Sequence, residues 1–599
     1  MPAKTDISPE TGNGKRAEDC FFRASAEDFK KIPGSPIAYW VSEQFRKSFA
    51  DGSLLEKSAP ARLGMTSSDN ARFVRSWSEI DYEKIGLKCD SEKKSIKSEK
   101  KWFPYNKGGD FRKWFGNNFF LINWENGGKE VLDYAKKLYG SPTRTIRNIK
   151  YFFKKSITWS FVSSSCFGVR TNDEGFIFDV GGSSSFPEEK NYLYIISLLA
   201  SCLSFKYLSA LNPTLNFQAG NIGSIPVIYA PTSNKFQIEQ NASNIIQLSK
   251  NDWDAYENSW NFKLLRILSP EHKQASLSLT FSAIYTQWND ATIKVQRLEE
   301  ENNRIFLKAY GLQDEFTPDV PLKEITLTCN PYYRYGNNKS EQELENLLRA
   351  DTMKELISYA IGCMMGRYSL DKEGLIYAHA GNESFDPSRY TTFPADEDGI
   401  VPVMDSDWFE DDASKRFEEF LRVTWNKETL EENLKFVADS LAPKRGEEPR
   451  ETIRRFISTS FFKDHHLKVY KKRPIYWLFS SGKNKAFECL VYLHRYNEKT
   501  LSRMRAMYVT PLQGKFNATI EYLQKEKDEA PSTSASRTIQ KQLTTMLKKQ
   551  EELRAFDELL RHYADQRITL DLDDGVKVNY GKFGKLLAEV KAVTGEKAK

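Results

Sequence analysis

Apolar positions in the first 230 residues fall in short runs, not in helical stripes. Phe119–Trp124 and Phe176–Val180 are compact and β-rich, and Gly, Asn and Pro turn signals separate them, so this stretch predicts short strands. One helical pattern interrupts them: Tyr192–Leu211 carries apolar residues at helical spacing and ends before Asn212-Pro213. From Asn241 to Gly311 the periodicity turns helical, with Trp253, Trp260, Phe262, Leu264, Leu265, Phe281, Ile284 and Tyr285 recurring mostly at helical intervals. Within it, Ala291–Tyr310 reads as a long amphipathic spacer helix. A block from about Tyr332 to Arg495 mixes helices with loops rich in Asp, Pro and Gly. Ala530–Arg537 reads as a linker, after which Ile539, Leu543, Met546, Leu547, Leu553, Phe556, Leu559 and Leu560 trace a stripe on a C-terminal helix. The expected class is α+β, divided into a flexible tail (1–20), a mixed α/β domain (21–240), a helical spacer (241–330), a mixed, mainly helical domain (331–529) and a C-terminal linker and helix (530–599).

The length of 599 residues exceeds what one hydrophobic core fills, which supports more than one domain. No run of eighteen apolar residues occurs, so no membrane span is expected. Met1–Ala17 is polar and lacks the apolar heart of a signal peptide, which predicts a cytoplasmic protein. Seven scattered cysteines with no CxxC pair argue against a disulfide framework or a zinc ribbon.

The net charge of +6 is modest, but its distribution is not. Lys136, Lys137, Arg144, Arg147, Lys150, Lys154, Lys155 and Arg170 lie between residues 136 and 171 with no acidic residue among them. Tyr139, Tyr151, Phe152, Phe153 and Trp159 are interleaved. Glu410–Asp412 and Glu428–Glu432 restore the balance downstream. A one-sign cluster of this kind is the footprint of phosphate contact, and it equally describes a solvated basic face.

Methyl transfer to a base amino group needs a Gly-rich strand-to-helix turn for S-adenosylmethionine and an Asn/Asp-Pro-Pro-aromatic loop for the extruded base. Phe176-Ile-Phe-Asp179-Val180-Gly181-Gly182-Ser183 and Asn330-Pro331-Tyr332-Tyr333 imitate them. The first is not followed directly by a helix, the second lacks its second proline, and no βαβ series links them. A complete Rossmann-type methyltransferase domain is therefore not expected, and no catalytic or cofactor-binding residue is assigned. Gly12–Lys15 is too short for a phosphate loop. His465-His466 reads as a surface pair and not a metal site, because adjacent helical side chains do not face one another. Asp405, Asp407, Glu410, Asp411 and Asp412 read as a solvated loop.

Several long strings carry a family resemblance: Lys31-Ile-Pro-Gly-Ser-Pro-Ile-Ala-Tyr-Trp40, Gly64-Met-Thr-Ser-Ser-Asp-Asn-Ala-Arg-Phe73, Lys101-Trp-Phe-Pro-Tyr-Asn-Lys-Gly-Gly109 and Leu211-Asn-Pro-Thr-Leu-Asn-Phe-Gln-Ala-Gly-Asn-Ile222. Ile361–Leu370, Arg473–Ser480 and Leu570–Tyr580 agree with them. The series resembles the PglX adenine-specific DNA methyltransferases of BREX phage-defence systems and, more loosely, fused restriction–modification enzymes. The resemblance implies a target-recognition domain, a helical spacer and a C-terminal helical region, with the catalytic domain lying before the matched part. It implies double-stranded DNA as the ligand and S-adenosylmethionine in the catalytic half or subunit. Other BREX proteins and a phage DNA-mimic inhibitor are the further partners it suggests. Lys107, Arg112, Lys113, Arg144, Arg147, Lys150 and Lys154 are the expected DNA contacts. Asn212, Asn216, Gln218 and Asn221 join them, since Asn and Gln suit adenine, although such residues also build turns and caps. The alternatives are a self-sufficient methyltransferase with degenerate motifs and an interaction scaffold.

Overall fold

The computed structural model describes residues 25–162, 166–214 and 216–596. The expected tail (1–20) and Gly12–Lys15 lie outside the described residues. The N-terminal part builds two four-stranded sheets from β1 (Ala61–Arg62), β2 (Val74–Ser76), β3 (Trp102–Asn106), β4 (Phe120–Asn123), β5 (Ser156–Trp159), β6 (Val169–Asn172), β7 (Ile177–Phe178) and β8 (Ser184–Ser185). One sheet runs β1-β8-β5-β6 and is antiparallel throughout. The other runs β2-β4-β3-β7, and its β3–β7 pair is parallel, with Tyr105 opposite Ile177. Helix α1 (Glu125–Tyr139) follows β4. Its regular part begins only after Gly128, which holds φ +77° and packs so tightly on Trp124 that a Cβ would lie 2.6 Å from the indole.

The expected single helix over 192–211 is two, α2 (Tyr192–Ala200) and α3 (Cys202–Leu211), bent by 71° at an extended Ser201. The break is held from both sides: the Ser201 and Ser204 hydroxyls donate to the Leu198 carbonyl, and the distant Asn303 Oδ1 accepts the Cys202 N–H at 3.1 Å, giving the second helix an N-terminal partner. No single helix among the described residues is long and apolar enough to cross a membrane.

Helix α4 (Thr232–Trp253) packs on α2 and on α5 (Leu277–Tyr310), a 34-residue helix longer than the expected spacer. Its first half buries Leu277, Phe281 and Ile284 in the C-terminal core, while Val295, Phe306, Leu307 and Tyr310 enter the N-terminal one. The C-terminal part gathers α6 (Glu341–Met364) and the strands β9 (Ile400–Pro402), β10 (Tyr476–Ser480) and β11 (Glu488–Tyr492), ordered β9-β11-β10. The last long helices, α7 (Thr510–Asp528) and α8 (Thr533–Asp565), form an antiparallel hairpin. Of the stretch expected as a linker (530–537), only Ala530–Ser532 forms the turn; Thr533–Arg537 already belong to α8, which Ser532 caps through the Ala535 N–H. Leu553, Phe556 and Leu560 of the predicted stripe are buried, whereas Leu547 is exposed.

The chain end returns to the beginning. Asp573 accepts hydrogen bonds from Lys84, Lys101 and the Trp102 indole at 2.9–3.0 Å, and Arg75 donates to its carbonyl. His494 Nε2 lies 2.8 Å from the Ile80 carbonyl. The N- and C-terminal parts are thus joined by α5, by this acidic clasp and by a buried histidine.

Candidate nucleic-acid interface

The basic segment is built on buried anchors. Val131 and Ala135 of α1, then Ile146, Phe152 and Phe153, point inward. Between them the chain turns twice through short 3-10 segments, with Asn148 left-handed at φ 58° and its amide donating to the Leu63 carbonyl. Thr66 N–H donates to Thr145 O, and Phe153 exchanges backbone bonds with Phe176 and Gly175. What remains outside is the charge: Lys136, Lys137, Arg144, Arg147, Lys150 and Lys154 are exposed, and no ion pair engages any of them among the described residues. Lys136 and Lys137 also stand in the last turn of α1, where the helix dipole favours cations. Lys150 and Lys154 sit 5.4 and 5.5 Å from the Tyr151 ring centroid, and Arg144 lies 5.9 Å from that of Tyr139. Arg147 folds back to donate to the Arg144 carbonyl at 3.0 Å. Arg62, which the sequence alone did not single out, joins the strip from β1 at 5.2 Å from Tyr151, while pairing with Glu56.

The remaining cations of the run point inward or are paired. Arg170 is fully buried in β6 with no carboxylate partner among the described residues, and burial beside Arg112 lowers its guanidinium to about 10. Lys155 pairs with Glu189. Two expected DNA contacts are corrected outright. Arg112 is buried and donates to Asp252 and Thr328 at 2.9 Å, and it stacks on Trp253. Lys113 is buried against Glu299, whose carboxylate also accepts from the Trp114 indole; burial raises this carboxyl despite the lysine. Both cations tie the N-terminal sheets to α4 and α5, because a charge shielded from water needs a counter-charge at contact. Lys107 is intermediate: half-buried, it bonds Asp179 at 3.0 Å and Asn70 at 3.1 Å.

The four amides separate by geometry. Asn212 bonds inward to the Asn216 carbonyl and the Asn221 side chain, and its own oxygen accepts the Thr214 N–H. That engages Asn212 and Asn221 in the turn. Asn216 pairs with Val162 in a backbone bridge, and Gln218 is exposed with no side-chain bond among the described residues.

The imitation motifs are engaged elsewhere. Gly182 lies against Asn106 so closely that a Cβ would stand 2.4 Å from its carbonyl oxygen, while Asp179 holds Tyr105, Lys107 and the Gly181 N–H. Asn330 is fully buried as a helix cap, accepting from Tyr332 N–H and donating to the Leu322 and Ile325 carbonyls. The histidine pair, expected at the surface, is buried in a π-helical stretch over 456–466. His466 Nε2 accepts from the Ile475 and Tyr476 N–H groups, and burial holds His465 down to about 4. The acidic group divides: Asp405, Asp407 and Glu410 are exposed as expected of a solvated loop, Asp405 pairing with Lys549, whereas Asp411 accepts from Tyr508 and the buried Asp412 caps a helix and meets Arg454.

No protein-family model matches the chain. Over 594 residues it is 45% identical to the adenine-specific methyltransferase BrxX of Escherichia coli O9:H4 (strain HS), an alignment that covers 96% of this chain and 47% of that protein. It is 39% identical over 568 residues to the adenine-specific methyltransferase PglX of Lacticaseibacillus casei (strain Zhang), covering 94% and 45%. The chain therefore spans about half the length of the relatives it matches.

Proposed function

We propose that this chain, homologous along nearly its whole length to adenine-specific methyltransferases of the BrxX and PglX type, is the target-recognition half of such an enzyme. In this reading it binds duplex DNA in the cytoplasm and gives sequence specificity to a catalytic domain or subunit that carries S-adenosylmethionine. That activity belongs to phage defence, alongside other BREX proteins and within reach of DNA-mimic inhibitors. The observation that carries the reading is the strip Lys136, Lys137, Arg144, Arg147, Lys150 and Lys154. Its six exposed cations are held by buried anchors and are free of carboxylate partners among the described residues. Lysine and arginine on a fixed frame neutralise phosphates and release counterions. The engagement of Asn330 and Asp179 within the fold supports placing the methyl-transfer chemistry outside this chain.

The test is fluorescence anisotropy with a 30-base-pair duplex across a salt series. Lys150→Glu/Lys154→Glu alters two exposed side chains whose one partner among the described residues is Tyr151. The double variant is expected to weaken binding at every sequence and to lower the slope of log affinity against log salt by about 2. Unchanged affinity and slope in a folded variant would refute the assignment.

A further inference from the structure

Three loops meet at the end of β5 remote from Lys154. Ser160 Oγ donates to the Gly109 carbonyl at 2.7 Å, and Phe161 N–H donates to Gly181 O at 3.0 Å. Phe217 N–H donates to Phe161 O at 2.8 Å, and the Trp159 indole donates to Phe217 O at 2.8 Å. The Val162–Asn216 bridge closes the set. Gly108 makes this meeting possible: at φ +73° its Cα approaches Gly181 so closely that a Cβ would stand 2.3 Å from that carbonyl. The backbone at this end is thus stitched from several directions, and among the described residues Val162 and Gln218 present exposed side chains beside these contacts. Val162 is 62% exposed, an unusual place for a β-branched apolar residue, and Gln218 begins a short helical turn without capping it.

We infer that this loop cluster reads base edges while the cationic strip holds phosphates, with Gln218 as the donor–acceptor pair and Val162 as the apolar contact. The inference rests on the DNA-recognition reading above and divides its labour. A primary amide offers one donor and one acceptor side by side, the complement of adenine N7 and N6 in the major groove, and an aliphatic methyl complements the thymine 5-methyl group. The ligand so defined is an A·T pair approached from the major groove. Asn212 and Asn221, two of the other three amides of the loop, bond to each other and cannot take this role without dismantling the turn, and Asn216 is held through its backbone in the bridge to Val162. Reach is adequate. Lys154 and Ser160 bracket β5, and six residues at strand rise span at most about 20 Å. That is well under the roughly 34 Å of one duplex turn, so one DNA molecule can touch both ends of the strand. The stitching fixes the backbone from which both side chains project, which sets where they meet a base pair.

The experiment is selection of bound duplexes from a pool randomised over twelve positions, by the wild-type chain, Gln218→Ala, Gln218→Glu and Val162→Ser, with salt slopes measured on a fixed duplex. Gln218→Ala is expected to keep the salt slope and lose preference at one position by roughly 5- to 150-fold. Gln218→Glu is expected to turn that preference from adenine towards cytosine, since a carboxylate accepts from the cytosine amino group. Val162→Ser is expected to relax preference for thymine at the same or an adjacent pair. Unaltered preference in all three variants overturns the assignment while leaving DNA recognition standing. A uniform loss of affinity with a lowered slope in Gln218→Ala also overturns it, because that marks a phosphate contact. If the wild-type chain binds no duplex, the recognition reading fails and takes this assignment with it.

Discussion

Lys113→Ala separates the two roles that this lysine has been given. In the fold, its ammonium lies against Glu299 of α5 with both side chains 5% exposed, and Trp114 Nε1 donates to the same carboxylate at 2.7 Å. Removing the ammonium leaves a buried carboxylate with one indole donor. Loss of one partner from a buried pair costs about 3–5 kcal/mol, because the remaining charge is uncompensated. A cooperative unit of 150–250 residues loses roughly 2–4 °C per kcal/mol, so the N-terminal transition should fall by about 6 °C or more. The penalty also has a pH signature. Burial already raises the Glu299 carboxyl, and without Lys113 it rises further. A raised carboxyl retains stability below its unfolded value and loses it as pH climbs, so the variant should come closest to wild type near pH 5 and differ most at pH 8. Lys113→Met/Glu299→Gln keeps an acceptor for Trp114 and removes both charges, and should recover most of the loss. The assay is thermal unfolding by circular dichroism at pH 5, 6.5 and 8, paired with duplex binding at 20 °C, where the variant remains folded. A Lys113→Ala protein as stable as wild type at pH 8, yet as impaired in DNA binding as Lys150→Glu/Lys154→Glu, would refute the burial argument and restore this lysine as a phosphate ligand.

Other predictions follow from the same charges. Burial pushes Glu257 up to about 7 from an ordinary 4.5, with only Ser358 bonded to its carboxylate, so the folded chain loses stability as pH rises between those values. Glu257→Gln should therefore be more stable than wild type at pH 8 by up to about 3 kcal/mol and equal to it near pH 4.5; chemical denaturation at the two pH values checks this, and a pH-independent difference speaks against it. His494 and His465 are held neutral at about 3 and about 4, so they withdraw stability as pH falls below 6.5. His494→Gln should blunt that acid loss in melting curves between pH 4 and 7. Asp573→Ala strips Lys84, Lys101 and Trp102 of a common acceptor and is expected to speed amide hydrogen exchange across residues 571–580 by at least tenfold. Exchange at the wild-type rate would show that the clasp is held by Leu572, Val576 and Tyr580 alone.

Part of this was open to a reading of the sequence, and the failures share a cause. The exposed cations at 144, 147, 150 and 154 lie in short turns, where the neighbouring Ile146, Phe152 and Phe153 take the inward positions and leave the charged side chains outside. Their availability is therefore a local property, and sequence reasoning reaches it. Arg170 sits in β6, the edge strand of its sheet, yet the Trp114 segment lies along that edge, bonding Val169 and Thr171, and all four residues of the strand are buried, so no outward position is left for a charge. Nothing in Val169-Arg-Thr-Asn172 distinguishes a covered edge from one open to water. Arg112 and Lys113 depend on partners at 252 and 299, and the break between α2 and α3 is held in part by residue 303. In each case a counter-group more than 100 residues away, or in another layer, decides whether a polar atom faces water. The Asn330 string misleads for a related reason. An Asn-Pro pair has the same local chemistry whether its amide grips a base or caps a helix, since both uses take one acceptor and two donors. Only the carbonyls of Leu322 and Ile325, folded back over the amide, decide for the cap. A census of charge therefore locates a binding surface only after the paired cations have been subtracted, and that subtraction is tertiary information. Of the seven cations assigned to DNA from sequence, Arg112 and Lys113 are removed in this way, Lys107 is partly engaged by Asp179, and the four in the turns keep their full charge for a ligand.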